Sequence, residues 1–160
     1  MRPSLCVAVL LACATFAAAQ KPASCPWFSS GSAQAVLGGP VLSNLQVEGN
    51  AEGSCEFASQ SSGNRRTLRI LAGKADTHAC PPGSTQLKAL GNEAMQCRRT
   101  DAQGNRWDVI AGRMRDVFFV VSMSNVPDAV AAPSAEGRAA DPHSASILER
   151  VAEQVVGNLD

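Results

Sequence analysis

Apolar residues recur at every second position over several short segments of the chain, the period that is typical of half-buried β-strands. In VLSNLQVE (41–48), for example, Val41, Leu45 and Val47 share one side of an extended chain. Turn-forming residues such as Gly, Asn and Ser separate these segments, as hairpins require. The strands predicted in this way are 41–48, 54–59, 66–74, 93–99, 106–112 and 117–123.

Two of these segments carry further information about burial. RWDVIAG (106–112) has Trp107, Val109 and Ala111 on its predicted inner side and Asp108 and Ile110 on its outer side. VFFVVSM (117–123) is apolar at odd and even positions alike. A strand of this composition is covered on both faces, so we expect it in the middle of the sheet.

Helix signals flank the strands on both sides. Ser29 or Ser30 is suited to cap a short helix that ends near Leu37, because Gly38-Gly39-Pro40 supplies a left-handed cap followed by a residue that cannot continue a helix. Asp141-Pro142 marks the start of a last helix, with an N-cap residue followed by proline at the first helical position. The apolar positions of this last helix are Ile147, Leu148, Val151, Val155 and Leu159.

Hairpins bracketed by two helices predict an α+β fold. We expect an antiparallel sheet of about five to six strands, with a short N-terminal helix and an amphipathic C-terminal helix packed on one face. A single disulfide-stabilised domain accounts for residues 20–160. Within it, TQLKAL (85–90) is predicted as a helical turn, and the Pro-, Ala- and Gly-rich segment 125–140 as a mobile loop.

Residues 1–19 have the pattern of a secretory signal peptide. The positive residue Arg2 precedes an uncharged apolar run over 5–16, and three alanines ending at Ala19 fit a cleavage site. The apolar run is too short for a transmembrane segment. We therefore expect a secreted or periplasmic bacterial protein that is cleaved after Ala19. Lipidation at Cys13, which ends the lipobox-like sequence LLAC, is the alternative.

Four cysteines remain after such cleavage, and an even number in an exported chain indicates two disulfides. They are Cys25, Cys55, Cys80 and Cys97. Three pairings are possible, of which sequential pairing is favoured. Cys55 shares a strand side with Phe57 and so points towards the predicted first helix, while Cys80 and Cys97 enclose a compact loop. Catalysis by Cys25 is not expected, because an oxidising compartment works against a free thiol.

Several short motifs of the chain recur together in other exported proteins. They are Leu37-Gly38-Gly39 after Cys25, Cys55-Glu56-Phe57, Leu90-Gly91-Asn92-Glu93-Ala94 and Gly157-Asn158-Leu159. With these motifs the chain resembles a family of uncharacterised exported bacterial proteins. It is distantly similar to small actinobacterial lipoproteins and to the extracellular sensor domains of mycobacterial receptor kinases. The resemblance implies an exported α+β domain with a Cys25–Cys55 bridge, and it implies no activity.

The charge of the chain is balanced, with 14 basic and 14 acidic side chains. A neutral domain has no electrostatic attraction to nucleic acid or to anionic membranes, so neither is an expected partner. Arginines are nevertheless concentrated on the predicted strands and turns, where a patch of them would suit an acidic ligand or glycan. A mixed, solvated face is the alternative, because acidic residues are interspersed. The candidate ligand contacts are Arg66, Arg69, Arg99 and Trp107.

No catalytic, metal or cofactor site is expected. The chain has no G-x-S-x-G elbow, and His78 and His143 lack the paired spacing of zinc ligands. The carboxylates Glu56 and Asp108 fall on the predicted outer sides of their strands. We therefore expect a non-enzymatic binding module for an unknown envelope protein or small ligand. An envelope hydrolase using acidic or serine residues and a protease-inhibitor-like protein that contacts its target through 125–140 are the alternatives.

Overall fold

The computed structural model describes residues 24–48, 52–61, 64–74, 80–81, 83–90, 93–127 and 142–159. The elements, in chain order, are α1 (Ser30–Leu37), β1 (Val41–Glu48), β2 (Glu52–Ser61), β3 (Asn64–Gly73), β4 (Thr85–Gln86), β5 (Met95–Thr100), β6 (Arg106–Met114), β7 (Val117–Pro127) and α2 (Pro142–Gly157). The predicted signal peptide, the lipidation candidate Cys13 and His78 lie outside the described residues. No helix within these ranges is long and apolar enough to cross a membrane.

All the described strands belong to one antiparallel sheet, in the order β1-β2-β3-β7-β6-β5-β4. The α+β class is thereby confirmed, but the sheet has seven strands and not five to six. The unpredicted strand is β4, whose Thr85 and Gln86 pair with β5. The helical turn predicted over 85–90 is wrong for 85–86, where pairing with β5 overrides local propensity. Residues 87–90 form a turn in which the Leu90 N–H donates a hydrogen bond of 3.4 Å to the Leu87 carbonyl oxygen.

Strand β7 lies at the centre of the sheet, between β3 and β6, as its two apolar faces predict. On one of those faces Val121 is opposite Ile70 in β3 and Ile110 in β6, and all three side chains are fully buried. The strand continues to Pro127. Residues 125–127 are therefore part of the sheet and not of the predicted loop, and the remainder of that loop lies outside the described residues.

Both helices pack against the same face of the sheet, which we call the helix face. Helix α1 begins as predicted, since the Ser29 hydroxyl oxygen accepts a hydrogen bond of 3.0 Å from the Ser32 backbone N–H. It ends at Gly38, whose φ of 78° is the left-handed conformation that glycine adopts without strain. The core between the helices and the sheet contains Trp27, Phe28, Leu37, Cys55, Phe57, Leu68, Ile70, Ile110, Phe119, Val121, Leu148, Val151 and Val155.

Helix α2 uses the apolar positions that its sequence predicts. Leu148, Val151 and Val155 are buried against the sheet, and Ile147 and Leu159 are half-buried beside them. The end of α2 is attached to the segment before α1: the Asn158 side-chain amide donates a hydrogen bond of 3.0 Å to the Trp27 carbonyl oxygen. The two helices therefore form one layer over the sheet.

Two disulfides connect the chain in the sequential pairing, Cys25 with Cys55 and Cys80 with Cys97, which confirms that prediction. The first attaches the segment before α1 to the helix face at β2, where Cys55 is fully buried. The second attaches residue 80 to β5. Their Cα atoms lie 5.9 Å and 5.8 Å apart, within the range that native disulfides span.

The orientation of β6 is the reverse of the prediction. Ile110, and not Trp107 or Val109, points into the core under the helices, because Ile110 is opposite Val121. The side with Trp107 and Val109 is the more apolar one, so the sequence pattern favoured the wrong orientation. A change of one position exchanges every side chain between the faces. Trp107 and Val109 lie on the other face, which no described helix covers. We call it the open face.

Candidate ligand site on the open face of the sheet

The structure brings together three of the four predicted ligand contacts. Trp107 of β6 is directly opposite Arg99 of β5, and residues opposite each other in an antiparallel pair share a face. Arg69 of β3 belongs to the same face, two strands away from Trp107 across β7. Arg66, an odd number of positions from Arg69, lies on the helix face, where its guanidinium approaches Gly38.

These three side chains border a concavity of about 420 Å³, which we call the open-face site. Its floor is apolar and consists of Leu71, Val109 and Val120 from three neighbouring strands. The polar lining residues are Arg69, Arg99, Thr100, Asp101 and Ser122. A volume of this size, with an apolar floor and a few convergent polar groups, is typical of sites for small molecules.

Trp107 is held in place on two sides. The Arg69 guanidinium carbon lies 4.5 Å from the centre of its indole ring, a stacked cation–π arrangement. The indole N–H donates a hydrogen bond of 3.0 Å to Oδ2 of Asp101. With 9% of its surface exposed, the side chain forms a fixed wall of the open-face site and has little freedom to move.

Asp101 organises the hairpin between β5 and β6. Its carboxylate accepts hydrogen bonds from the backbone N–H groups of Gln103 (3.0 Å) and Asn105 (2.8 Å) and from the Asn105 side chain (2.9 Å). The turn is completed by Gly104, whose φ of 84° favours glycine. The bond from Trp107 and those from Asn105 lower the pKa of Asp101 to about 2. At neutral pH this carboxylate is ionised, and its hydrogen bond with the indole N–H positions Trp107.

The carboxylates considered for hydrolysis do not converge on one site. Glu56 lies on the open face and forms an ion pair with Nε of Arg69, its cross-strand neighbour. Asp108, predicted on the outer side of its strand, lies instead on the helix face of the sheet, where its carboxylate is 2.9 Å from Nε of Arg98. Glu56 is therefore paired with an arginine on the open face, and Asp108 is paired with an arginine on the helix face.

The serine and histidine residues considered for catalysis do not form a site in the described structure. Ser29 caps α1, and its hydroxyl donates to that of Ser32 at 2.9 Å. His78 lies outside the described residues, and of His143 the structure describes the backbone alone. Within the described part of the chain no group of three or more His, Cys, Asp and Glu side chains is arranged to hold a metal ion.

The tryptophans and Phe28 divide between two environments. Trp27 and Phe28 are in the main core, whereas Trp107 belongs to a smaller cluster on the open face with Val109 and Ala111. The sequence analysis did not identify Asp101 as a residue of the site. The signal was available, because Asp101 begins the hairpin and Trp107 is the second residue of the returning strand.

Two further concavities are lined by described residues, but neither combines these features. One, of about 240 Å³ between α1 and α2, has Arg150 as its charged residue. The other, at the ends of β2 and β3, contains the ion pair of Lys74 with Glu52 at 3.6 Å. The open-face site alone among these three joins two guanidinium groups, a fixed indole and an apolar floor. No protein-family model, curated protein or solved structure matches this chain.

Proposed function

We propose that this protein is an exported, non-enzymatic binding module of the bacterial envelope, and that it binds an anionic ligand at the open-face site. The observation that carries the proposal is the placement of Arg69 and Arg99 around an apolar floor, with Arg69 stacked on Trp107. Nε of Arg69 is engaged by Glu56, and the terminal nitrogens of a guanidinium group still present a pair of donors that suits a carboxylate or a phosphate. The ligand class is therefore a small organic anion or an acidic glycan.

Rigidity of the site supports a binding role. Arg69, Arg99 and Trp107 project from three strands of one sheet, and strands hold side chains more precisely than loops do. Trp107 is fixed by Asp101 and by Arg69 before any ligand arrives. A site that is already ordered loses less conformational entropy when it binds, so more of the interaction energy appears as affinity.

Export is supported by the covalent structure of the domain. Two disulfides form and persist in oxidising compartments such as the periplasm and the extracellular space. The signal peptide predicted over 1–19 supplies the route. The family resemblance carried by the LGG, Cys-x-Phe and LGNEA motifs leads to the same proposal.

The test is an NMR titration of the ¹⁵N-labelled protein with three anionic probes: citrate, trigalacturonate and inorganic phosphate. Galactotriose serves as the uncharged probe matched to trigalacturonate. We expect saturable shifts at residues of β3, β5 and β6 around the open-face site with at least one anion and none with galactotriose.

Charge-matched variants separate a site from a general effect of positive charge. The pair Arg69→Ala and Arg99→Ala should abolish the saturable shifts. The pair Arg66→Ala and Arg106→Ala removes the same charge from the other face of the sheet and should leave them unchanged. The absence of saturable shifts with all three anions contradicts the proposal, as do shifts that persist in the first pair.

A further inference from the structure

Strand β1 forms one edge of the sheet. Its eight residues, Val41 to Glu48, pair on one side with β2, and no described strand pairs with its other side. An edge strand presents a row of backbone N–H and C=O groups that another strand can complete. The strand at the opposite edge, β4, has two residues only, so it presents far fewer backbone groups to another strand.

The sequence of β1 lacks the features that usually block edge pairing. Natural edge strands carry lysine, proline or inward-pointing charge, or they are short or bulged. Between Val41 and Val47 the strand has no charged residue, no proline and no glycine, and its first charge is Glu48 at the end. Leu42 is 69% exposed, the large apolar side chain left most accessible among the described residues.

We propose that β1 pairs with β1 of a second copy of this chain, antiparallel across a two-fold axis, so that two sheets join into one. Such an axis must be perpendicular to the sheet, since this is the operation that places identical antiparallel strands side by side. It keeps the helix faces of both copies on the same side and both open faces on the other. This inference does not depend on the proposed function.

The pattern of β1 also specifies the register. With Asn44 on the two-fold axis, all residues from Val41 to Val47 are paired, and Val41 of each copy is opposite Val47 of the other. On the open face, Leu42 is opposite Gln46 of the second copy, and Asn44 is opposite its own equivalent. Glu48 falls beyond the paired segment, so no like charges are opposed.

Self-pairing in this register has a consequence for binding. The two open-face sites point in the same direction from one continuous sheet. A ligand that repeats its acidic groups along a polymer is then held by both sites at once, which raises its apparent affinity without any new contact. This consequence rests on the proposed function, whereas the self-pairing itself is argued from the sequence and edge position of β1 alone.

Cross-linking tests the register directly. In Asn44→Cys the two introduced thiols face each other at a Cβ separation of about 5 Å. In the control Leu42→Cys they are about 13 Å apart along the strands, at about 3.3 Å per residue. A short bifunctional thiol reagent should link Asn44→Cys into a covalent dimer and should form no covalent dimer of Leu42→Cys, with the native disulfides intact in both. Equal cross-linking of the two variants overturns the register.

Sedimentation velocity tests the self-association itself. The protein should pass from monomer to dimer as its concentration is raised to about 1 mM, where even a weak contact is populated. Asn44→Lys places like charges opposite each other on the axis and should shift the midpoint at least tenfold to higher concentration. In the monomer the new lysine lies opposite Glu56, which favours folding. Gln103→Lys, at the exposed β5–β6 turn, should dimerise as the wild type does. A protein that stays monomeric throughout overturns the proposal, whatever other chain pairs with β1.

Discussion

At the scale of single residues, the open-face site depends on a chain of contacts that crosses four strands. Asp101 holds the indole N–H of Trp107, Arg69 stacks on the ring, and Glu56 pairs with Arg69. Each contact orients the next. The position of the Trp107 side chain therefore depends also on Glu56, which does not line the site. The exposed ion pair at its end contributes little stability by itself, as is usual for such pairs, and its effect is orientation.

The lowered pKa of Asp101 predicts a pH-dependent contribution to stability. Its pKa is about 2 in the folded protein, against an ordinary value of 3.8. The stabilisation is therefore complete above about pH 4 and is lost as the pH falls towards 2. Asp101→Asn should lower the urea midpoint of unfolding at pH 5, and the difference from the wild type should shrink steadily between pH 4 and pH 2.

Asp116→Asn is the matched control for this measurement. It makes the same charge change in the exposed turn between β6 and β7. Its difference from the wild type should show no comparable convergence. A wild-type profile that runs parallel to that of Asp101→Asn down to pH 2 would contradict the assignment.

Gly112 shows a different constraint at the residue scale. The Phe119 ring lies over this glycine, so a Cβ atom there would be 2.8 Å from Cζ of Phe119 and 3.0 Å from Cα of Ala94. Gly112→Ala should destabilise the protein by about 1–3 kcal/mol, because Phe119 is fully buried and cannot move without repacking the core. Chemical denaturation checks this value. Gly73→Ala is the control, since a Cβ there meets no atom within 4 Å, and it should unfold close to the wild type.

At the scale of elements, α2 is the part of the helix layer that closes the core over the middle of the sheet. Its buried side packs on β6 and β7 through residues such as Leu148 and Val151. The helix is the last element described, and it reaches back to the start of the domain through the bond from Asn158 to Trp27. Its docking therefore joins the two ends of the described chain.

The packing of α2 predicts a large effect at Leu148, which is fully buried. Leu148→Ala should lower the free energy of unfolding by about 2–5 kcal/mol, through lost burial and the cavity left behind. Glu153→Ala, on the exposed side of the same helix, should change it little. Urea unfolding followed by far-ultraviolet circular dichroism measures both. Similar losses for the two variants would show that helix propensity, and not packing, determines the effect.

At the scale of the whole molecule, the two disulfides stabilise different halves of the sheet. One holds the N-terminal segment on β2, and the other holds residue 80 on β5, so β7 lies between the two constraints. This arrangement adds to the stability of a sheet whose open face carries a small apolar cluster and, within the described residues, no helix. Cross-links of this kind act chiefly by restricting the unfolded chain.

Removal of either disulfide should therefore be measurable, and the two should differ. Replacing both cysteines of one pair by alanine should cost about 2–4 kcal/mol in each case. The loss of stability should be larger for the Cys25–Cys55 pair. Its sequence separation is 30, against 17 for Cys80–Cys97, so it closes the longer loop. In addition, Cys55 is buried in the main core. Urea midpoints under non-reducing conditions give the order. The reverse order would contradict the loop-length argument.

The sequence by itself determined the class of fold and most of its elements. Period-two alternation located strands such as β1 and β3, and a continuous apolar run located β7, since both patterns are local properties of an extended chain. The serine cap and the Gly-Gly-Pro stop located α1, and the apolar stripe located α2. The burial of Cys55 beside Phe57 also indicated the disulfide pairing that the structure has.

Only the tertiary structure decided which face each β6 side chain occupies, that β4 is a strand, and which arginines meet Trp107. In β6 the more apolar side, with Trp107 and Val109, faces away from the helices, because the register places Ile110 opposite Val121 in the core. Thr85 and Gln86 become a strand because β5 is available to pair with them. Arg69 and Arg99 come together, and Arg66 does not, because strand order and register are relations between distant segments. No local pattern of residues encodes such relations, and the long-range pairing of backbone groups establishes them.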